Sequence, residues 1–401
     1  MNGRWSSGAG RIFGLAVLSL ILFFATSTEA GTAVAIAPPK APTSRSARQR
    51  LGGERNAVRQ AKLANQHRRA ASGGKRKHLS TAMMIFHLYA VIGNASAMQY
   101  IGYMYATGKH TPKKNYVKAA KWFRRSMRAG DALGEYSLGY LYEVGKGVRR
   151  NYAQAGRLFR GAARSGNEYA ETSLGFLYMH GFGRPKNYRK AMQWFRRGAA
   201  AGCSAALYYI GLLYADGWGV PVNHVKAFKY WRRAAAAGDC VAAEYLGVCY
   251  LFGLHIPRNY KTALAYLRKG AQCGNRAAMQ YLGSMYEHGL GVPQNYPMAI
   301  AWFRKSAAAG SGTAMVDLAY MYHMGMGVVR DEALATKWSR RGAAAGNAYA
   351  MDGLGVDYQR GLGVPRNYGK AMQWYRRAAA RGCAPAVTDA DRCCGAAMPR
   401  Q

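Results

Sequence analysis

The stretch RAAMQYLGSMYEHGLGVPQNYPMAIAWFRKSAAAGS, from Arg276 to Ser311, decides the fold. Ala278, Leu282 and Tyr286 are four residues apart, so they lie on one face of a helix. The segment GLGVP then interrupts that helix, because glycine ends helices and proline cannot continue them. A second helical pattern follows in NYPMAIAWFRKSAAAG. The stretch therefore predicts a pair of antiparallel helices.

This pattern recurs along the chain with a period of 36 residues, apart from a first step of 37. A glycine marks the motif A-x-x-x-[LI]-G-x-x-Y-x-x-G in seven copies, and an alanine replaces it in an eighth. These residues are Gly102, Gly139, Gly175, Gly211, Gly247, Gly283, Ala319 and Gly355. A fixed period of this length predicts an all-α solenoid of about eight helix-turn-helix repeats, each of which packs on its neighbours.

The longer string A-x-x-x-L-G-x-x-Y-x-x-G-x-G-V, followed by N-Y-x-x-A-x-x-W-F-R-x-A-A-x-G, resembles the Sel1-like repeat, a relative of the tetratricopeptide repeat. The resemblance covers eight units, from about Ala95 to Cys383. It implies a right-handed superhelix of helix pairs. It also implies a role as an adaptor that assembles protein complexes, without catalysis.

Several residues recur at the same position in every repeat. Packing between repeats requires such recurrence, whereas a functional site would break the pattern in one or two copies. We therefore expect the repeated tyrosines and the small residues of the first helix to form the core. We expect the large buried area to come from Trp122, Trp194, Trp302, Trp338 and Trp374.

The N-terminus resembles an export signal. Arg4 and Arg11 precede an apolar run, Ile12–Ala25, which is too short for an ordinary membrane span. We expect cleavage after Ala30, and an uncleaved anchor is the alternative. This interpretation places the protein in the secretory pathway, in the lumen of the endoplasmic reticulum or at the cell surface or outside the cell.

The chain is strongly basic, with a formal net charge of +39. Residues 31–80 are predicted to be a disordered basic arm, because Lys40–Ser80 holds 12 Lys or Arg against one acid, Glu54, and has few large apolar residues. Such an arm favours an acidic protein or an anionic surface as its partner. Nucleic acid is the less favoured alternative, because no nucleic-acid motif is present.

The remaining boundaries follow from the repeats. Residues 81–94 are apolar and are predicted to cap the first repeat. Residues 95–383 hold the eight repeats, and residues 384–401 form a C-terminal tail.

A basic doublet recurs near the end of the second helix in many repeats. Cations there are favourable beside the helix C-terminus, and their stems cover apolar surface. The alternative is a basic ridge that faces an acidic partner. The candidate residues are Arg196, Arg197, Arg232, Arg233, Arg268, Lys269, Arg304, Lys305, Arg340, Arg341, Arg376 and Arg377.

Tyr209, Tyr245 and Tyr281 share one position in three consecutive repeats. Other repeats hold serine, aspartate or glycine there, so stacking would align the three rings on the first-helix face. Aromatic side chains are favoured binding anchors, which makes them candidate partner-binding residues. The alternative is a local variation of the core.

Seven cysteines are spaced irregularly. Cys240 begins the first helix of one repeat and Cys273 ends its second helix. Antiparallel packing could bring these two ends together, so the sequence leaves open a disulfide or two free thiols.

No catalytic, cofactor-binding or metal-ligating constellation is apparent, and we expect neither an enzyme nor a small-molecule substrate. Asn94 begins a glycosylation triplet, Asn-Ala-Ser. The favoured function is a scaffold for protein–protein interactions, such as a luminal adaptor in degradation associated with the endoplasmic reticulum. The alternatives are a secreted or surface protein that binds an acidic partner through its arm, and a basic RNA-associated organelle component.

Overall fold

The computed structural model describes residues 83, 86–108, 111 and 113–383. The predicted signal peptide, basic arm and C-terminal tail lie outside these residues, as does part of the predicted cap.

The described residues form helices and no strand, as the periodicity predicts. A short helical segment, 86–91, is followed by eight helix pairs. The pairs are α1 (Ala95–Thr107) and α2 (Tyr116–Arg128), α3 (Ala132–Val144) and α4 (Tyr152–Arg164), α5 (Glu168–His180) and α6 (Tyr188–Ala200), α7 (Ser204–Asp216) and α8 (His224–Ala236), α9 (Cys240–Phe252) and α10 (Tyr260–Gln272), α11 (Arg276–His288) and α12 (Tyr296–Ala308), α13 (Gly312–Met324) and α14 (Glu332–Ala344), and α15 (Ala348–Arg360) and α16 (Tyr368–Ala379). Each repeat therefore holds one odd-numbered and one even-numbered helix of an α-solenoid.

Local sequence sets the helix ends. The side chain of Asn295 accepts a hydrogen bond from the Met298 backbone N–H at 2.9 Å and so caps the start of α12. Each odd-numbered helix ends at a glycine with a left-handed backbone, such as Gly289 with φ 67°. Other residues rarely adopt this conformation, so the predicted helix-ending glycines are confirmed.

The chain divides into two compact units, Met1–Ala201 and Gly202–Gln401. The described part of the first unit contains the segment 86–91 and α1–α6. That segment packs on the first repeat through the buried Ala90, beside Met98 and Ile101. The second unit contains α7–α16. In both units, each helix packs on its partner within the repeat and on the helix of the next repeat.

The recurring glycine of the first helix is explained by a large side chain on the second, which is an aromatic ring in most repeats. A Cβ atom added at Gly283 would lie 2.4 Å from Phe303 Cε1, and Phe303 is fully buried. In the seventh repeat, where Ala319 replaces the glycine, the position equivalent to Phe303 is Ser339. The glycine therefore admits the close approach of a large side chain, and alanine occurs where that side chain is small.

The expectation for the tryptophans was wrong. Trp122, Trp194, Trp302, Trp338 and Trp374 are only half-buried. The residue that follows the tryptophan fills the core instead, as Phe123 and Phe303 do, because its side chain points between the two helices of the repeat.

Candidate partner-binding surfaces

Charge is separated between the two sets of helices. Within α1–α16, Arg276 and Arg360 are the only Lys or Arg residues of the odd-numbered helices. Glu332 is the only acid of the even-numbered helices. Each unit therefore presents a basic layer of even-numbered helices and an acidic, tyrosine-rich layer of odd-numbered helices.

The first residue of the basic doublet reaches a tyrosine of the next repeat. Arg232 Nη2 donates to the Tyr250 hydroxyl at 2.7 Å, and Arg268 Nη2 donates to the Tyr286 hydroxyl at 3.0 Å. The same contact joins Arg124 to Tyr142, Arg304 to Tyr322 and Arg340 to Tyr358. The partner in each case is the recurring tyrosine, so these arginines connect consecutive repeats.

The second residue of the doublet lies over an aromatic ring three residues earlier in its own helix. Lys305 Nζ is 4.2 Å from the centre of the Trp302 ring. The corresponding pairs are Arg125 with Trp122, Arg197 with Trp194, Arg233 with Tyr230, Arg341 with Trp338, and Arg377 with Trp374. Many of the doublets therefore stabilise the array through contacts of their own. Their use as a ridge for an acidic partner stays a prediction.

The three candidate tyrosines lie on α7, α9 and α11 and are half-buried. The Tyr245 ring is 4.5 Å from the Trp231 ring, measured between centres. Tyr209 contacts Tyr208 at 5.4 Å, and Tyr281 contacts Phe252 at 6.1 Å. Each ring therefore packs on other aromatic side chains and keeps part of its surface accessible. Binding of a partner to them stays a prediction.

Three carboxyl groups lie close to these tyrosines. Glu244 precedes Tyr245 in α9, and burial raises the pKa of Glu244 to about 7. Burial also raises the pKa of Asp317, on α13, to about 7, although its Oδ2 accepts a hydrogen bond from Gln280 Nε2 at 2.9 Å. Burial likewise raises the pKa of Glu287, on α11, to about 7. Among the described residues, no Lys or Arg forms an ion pair with any of the three.

The sequence interpretation missed these carboxyl groups. In the sequence, Asp317 stands out only as a departure from tyrosine at its position. The sequence does contain a signal for these carboxyl groups. The odd-numbered helices carry acids, but Arg276 and Arg360 are their only Lys or Arg residues.

A second charged cluster joins the last two repeats. His323 Nδ1 contacts Glu332 Oε2, and His323 Nε2 lies 3.2 Å from Asp357 Oδ1. Burial lowers the pKa of His323, but the hydrogen bonds to Asp357 and Glu332 outweigh it and raise the pKa above its ordinary value. Arg330 forms a further ion pair with Glu332. The cluster connects α13, α14 and α15.

The described residues contain no group of three or more His, Cys, Asp or Glu side chains that could hold a metal ion. Nor does the described part contain a helix long and apolar enough to cross a membrane.

Cys240 and Cys273 form a disulfide, with their Cα atoms 6.1 Å apart. The structure thus selects the bonded state of the two that the sequence left open. Cys249 is a buried free thiol, and Cys203 and Cys383 are buried as well. Disulfides persist mainly in oxidising compartments.

Asn94 has a structural role at the start of α1. Its Oδ1 accepts a hydrogen bond from the Ala97 backbone N–H at 2.8 Å. Most other helices begin at an asparagine that makes the same contact, so capping explains this residue without a sugar. Glycosylation of Asn94 stays a prediction.

Comparison with known proteins identifies the repeats. The Sel1 repeat model matches eight consecutive segments, at residues 95–131, 132–167, 169–203, 204–239, 240–275, 276–311, 312–347 and 348–383. The chain belongs to the Sel1 repeat family. The resemblance inferred from the sequence is therefore confirmed.

Several proteins resemble this Sel1 repeat protein. The crystal structure of a Sel1 repeat protein from Oxalobacter formigenes is 27% identical, covers 77% of this chain and 92% of its own, and has a TM-score of 0.54. The protective antigen c5321 of uropathogenic Escherichia coli, which has an SLR fold, is 28% identical and covers 79% of this chain and 75% of its own, with a TM-score of 0.41. HRD3B of Arabidopsis thaliana, a component of an ERAD-associated E3 ubiquitin-protein ligase, is 40% identical over 50 residues. Those residues are 12% of this chain and 8% of HRD3B, so the match spans a small part of that relative.

Proposed function

We propose that this Sel1 repeat protein is a non-enzymatic scaffold that holds protein partners together. The observation that carries the proposal is the separation of charge between the odd-numbered and even-numbered helices of a repeat array. Stacked repeats present extended surfaces, which such proteins use for binding. The opposite charges of the two layers would let the odd-numbered helices select a partner by its charge.

We further propose that the protein works in the lumen of the endoplasmic reticulum, as an adaptor in the degradation of misfolded proteins. Three observations support this proposal. The N-terminus resembles an export signal. The disulfide between Cys240 and Cys273 suits an oxidising compartment. HRD3B, which this chain matches over 50 residues, is a component of an ERAD-associated E3 ubiquitin-protein ligase.

The test is affinity purification of the tagged full-length protein from its native cells in mild detergent, followed by mass spectrometry. We expect a membrane ubiquitin ligase and luminal chaperones among the recovered proteins. Recovery of other proteins in place of these would support the scaffold function and reject a role in degradation at the endoplasmic reticulum. Recovery of no protein above an untagged control would reject the scaffold itself.

A triple variant tests the candidate tyrosines in the same experiment. We expect Tyr209→Ser, Tyr245→Ser and Tyr281→Ser together to lower partner recovery, because they remove the aromatic surface. If recovery is unchanged while the melting temperature falls, the tyrosines are core residues only.

The basic arm favours a second candidate function, that of a secreted or surface protein that binds an acidic partner. The supporting observation is the excess of 12 Lys or Arg over one acid in Lys40–Ser80. Its binding should weaken steeply as salt increases. Detection of the protein inside an organelle together with RNA would favour the third candidate, an RNA-associated component.

A further inference from the structure

The second unit contains a surface that combines carboxyl groups and tyrosine rings. We call it the acidic tyrosine surface and define it by Tyr208, Glu244, Tyr245, Tyr281, Glu287 and Asp317. These residues come from four successive odd-numbered helices, α7, α9, α11 and α13. The centres of the Tyr208 and Tyr245 rings are 6.2 Å apart, so two neighbouring repeats meet at this surface.

The carboxyl groups of this surface form no ion pair with a Lys or Arg among the described residues. In the first unit, Glu171 on α5 is paired with Arg197 at 3.0 Å. In the second unit, Glu244 has no Lys or Arg partner among the described residues, and Glu287 has only the adjacent His288, whose Nδ1 is 3.8 Å from its Oε2. A partly buried carboxylate without a counter-ion costs free energy. A cation supplied from outside would remove that cost.

The tyrosines make the surface suitable for a cation with an organic stem. The charge of Glu244 acts on Tyr208, Tyr245 and Tyr281, whose pKas are raised first by burial and then by nearby charges. Glu244 adjoins Tyr245 in α9, and the Tyr245 ring is 6.2 Å from the Tyr208 ring. Aromatic faces attract ammonium and guanidinium groups, and ring surfaces also cover the alkyl part of Lys and Arg.

We propose that the acidic tyrosine surface binds Lys or Arg side chains of an extended basic segment in a partner protein. This inference rests on the proposed scaffold function and names one class of partner. Glu244 forms an ion pair with the first cationic side chain, and the rings of Tyr245 and Tyr281 enclose its stem. Asp317 and Glu287 receive a second cationic side chain farther along the segment.

The charge of the whole chain makes this proposal selective. At a formal net charge of +39, the protein as a whole repels basic peptides. Binding of a basic peptide must therefore come from a local acidic surface. A cation binds the ionised form of Glu244, and the pKa of this carboxyl group is raised to about 7. The affinity for the cation should therefore increase as the pH rises through that value.

The test is isothermal titration of the purified full-length protein with a 12-residue acetylated peptide, Gly-Lys-Gly-Arg repeated three times. We expect saturable binding at low salt. The conservative variants Glu244→Gln and Asp317→Asn should each lower the affinity about tenfold, which is the loss expected for one charge-assisted contact. Glutamine and asparagine keep the side-chain shape, so the variants should fold. A circular dichroism melt checks this.

Two controls make the result specific. Glu168→Gln removes an acid from α5, outside this surface, and should change the affinity less than about twofold. A peptide with glutamate in place of Lys and Arg should not bind through Glu244. No binding of the basic peptide, or equal loss in the Glu244 and Glu168 variants, would overturn the inference. The titration uses no cellular partner, so it is decided separately from the affinity purification.

Discussion

Replacing Gly283 by alanine should destabilise the sixth repeat, although alanine is the better helix former. The new Cβ atom would lie 2.4 Å from Phe303 Cε1 and 2.5 Å from Cδ1. Ordinary contacts are about 1 Å longer, and Phe303 is fully buried in a close-packed interior. Overpacking of this kind costs about 1–3 kcal/mol, whereas alanine regains at most about 1 kcal/mol of helix propensity. A contact this short belongs to the upper half of that range, so we expect a net loss of about 1–2 kcal/mol.

The chain contains a matched control. Gly353 also lies inside an odd-numbered helix, but its added Cβ would meet only Ser339 Oγ, at 3.8 Å. Gly353→Ala should raise stability by about 0.5–1 kcal/mol, because only the propensity changes. The assay is thermal and urea unfolding followed by circular dichroism, with each variant compared with the unmodified protein.

A double-mutant cycle tests the cause directly. In a Phe303→Ala background the ring is absent, so Gly283→Ala should become neutral or stabilising. The reasoning is refuted if Gly283→Ala is as stable as the unmodified protein, or if its cost is the same with and without Phe303.

Three further changes have expected outcomes. Serine at both Cys240 and Cys273 should lower stability by about 3–4 kcal/mol, the value for a loop of this length, and reductant should lower the melting temperature of the unmodified protein but not of this variant. His323→Gln should destabilise the protein more at pH 5.5 than at pH 8.5. The pKa of His323 is raised in the folded state, so its stabilising effect is complete below the pKa of the unfolded state and is lost as the pH rises through the pKa of the folded state. Equal losses of melting temperature at both pH values would contradict this. Glu244→Gln should stabilise the protein by about 1–2 kcal/mol at pH 8.5 and by less at pH 5. The pKa of Glu244 is raised, so ionisation of its carboxyl group in the folded protein costs free energy as the pH rises. An unchanged free energy of unfolding in urea at pH 8.5 would refute this prediction.

The sequence predicted the helix pairs because their signals are local. The spacing of Ala278, Leu282 and Tyr286 defines a helical face, and the following glycines end the helix. The 36-residue period adds a constraint that no single repeat supplies. A signal that recurs eight times is much less ambiguous than one that occurs once.

The candidate surfaces were harder to predict because they depend on contacts between repeats. The contact of Arg232 with Tyr250 joins residues 18 apart on different repeats, and neither residue indicates its partner alone. The position of Tyr245 against Trp231 depends on packing within unit 2, which the spacing does not define. Glu244 stands out only in the structure, where burial raises the pKa of its carboxyl group and no described Lys or Arg pairs with it.

The contact of Phe303 with Gly283 could be predicted only in part from the sequence. The sequence contains both the glycine column and the aromatic column, and the exception at Ala319 and Ser339 links them. Periodicity alone favoured the neighbouring tryptophan as the core residue, because tryptophan is larger. The direction in which each side chain points from the second helix decides against it.

The central claim is that partners bind the odd-numbered helices of this scaffold. Site-specific photo-crosslinking tests it most directly, with benzoylphenylalanine placed in the tagged full-length protein in its native cells. One position is Tyr281 on α11, and the control is Val225 on the even-numbered helix α8, which is 83% exposed. The account predicts discrete crosslinked proteins from position 281 and few from position 225. Equal crosslinking at both positions, or none at 281, would contradict it.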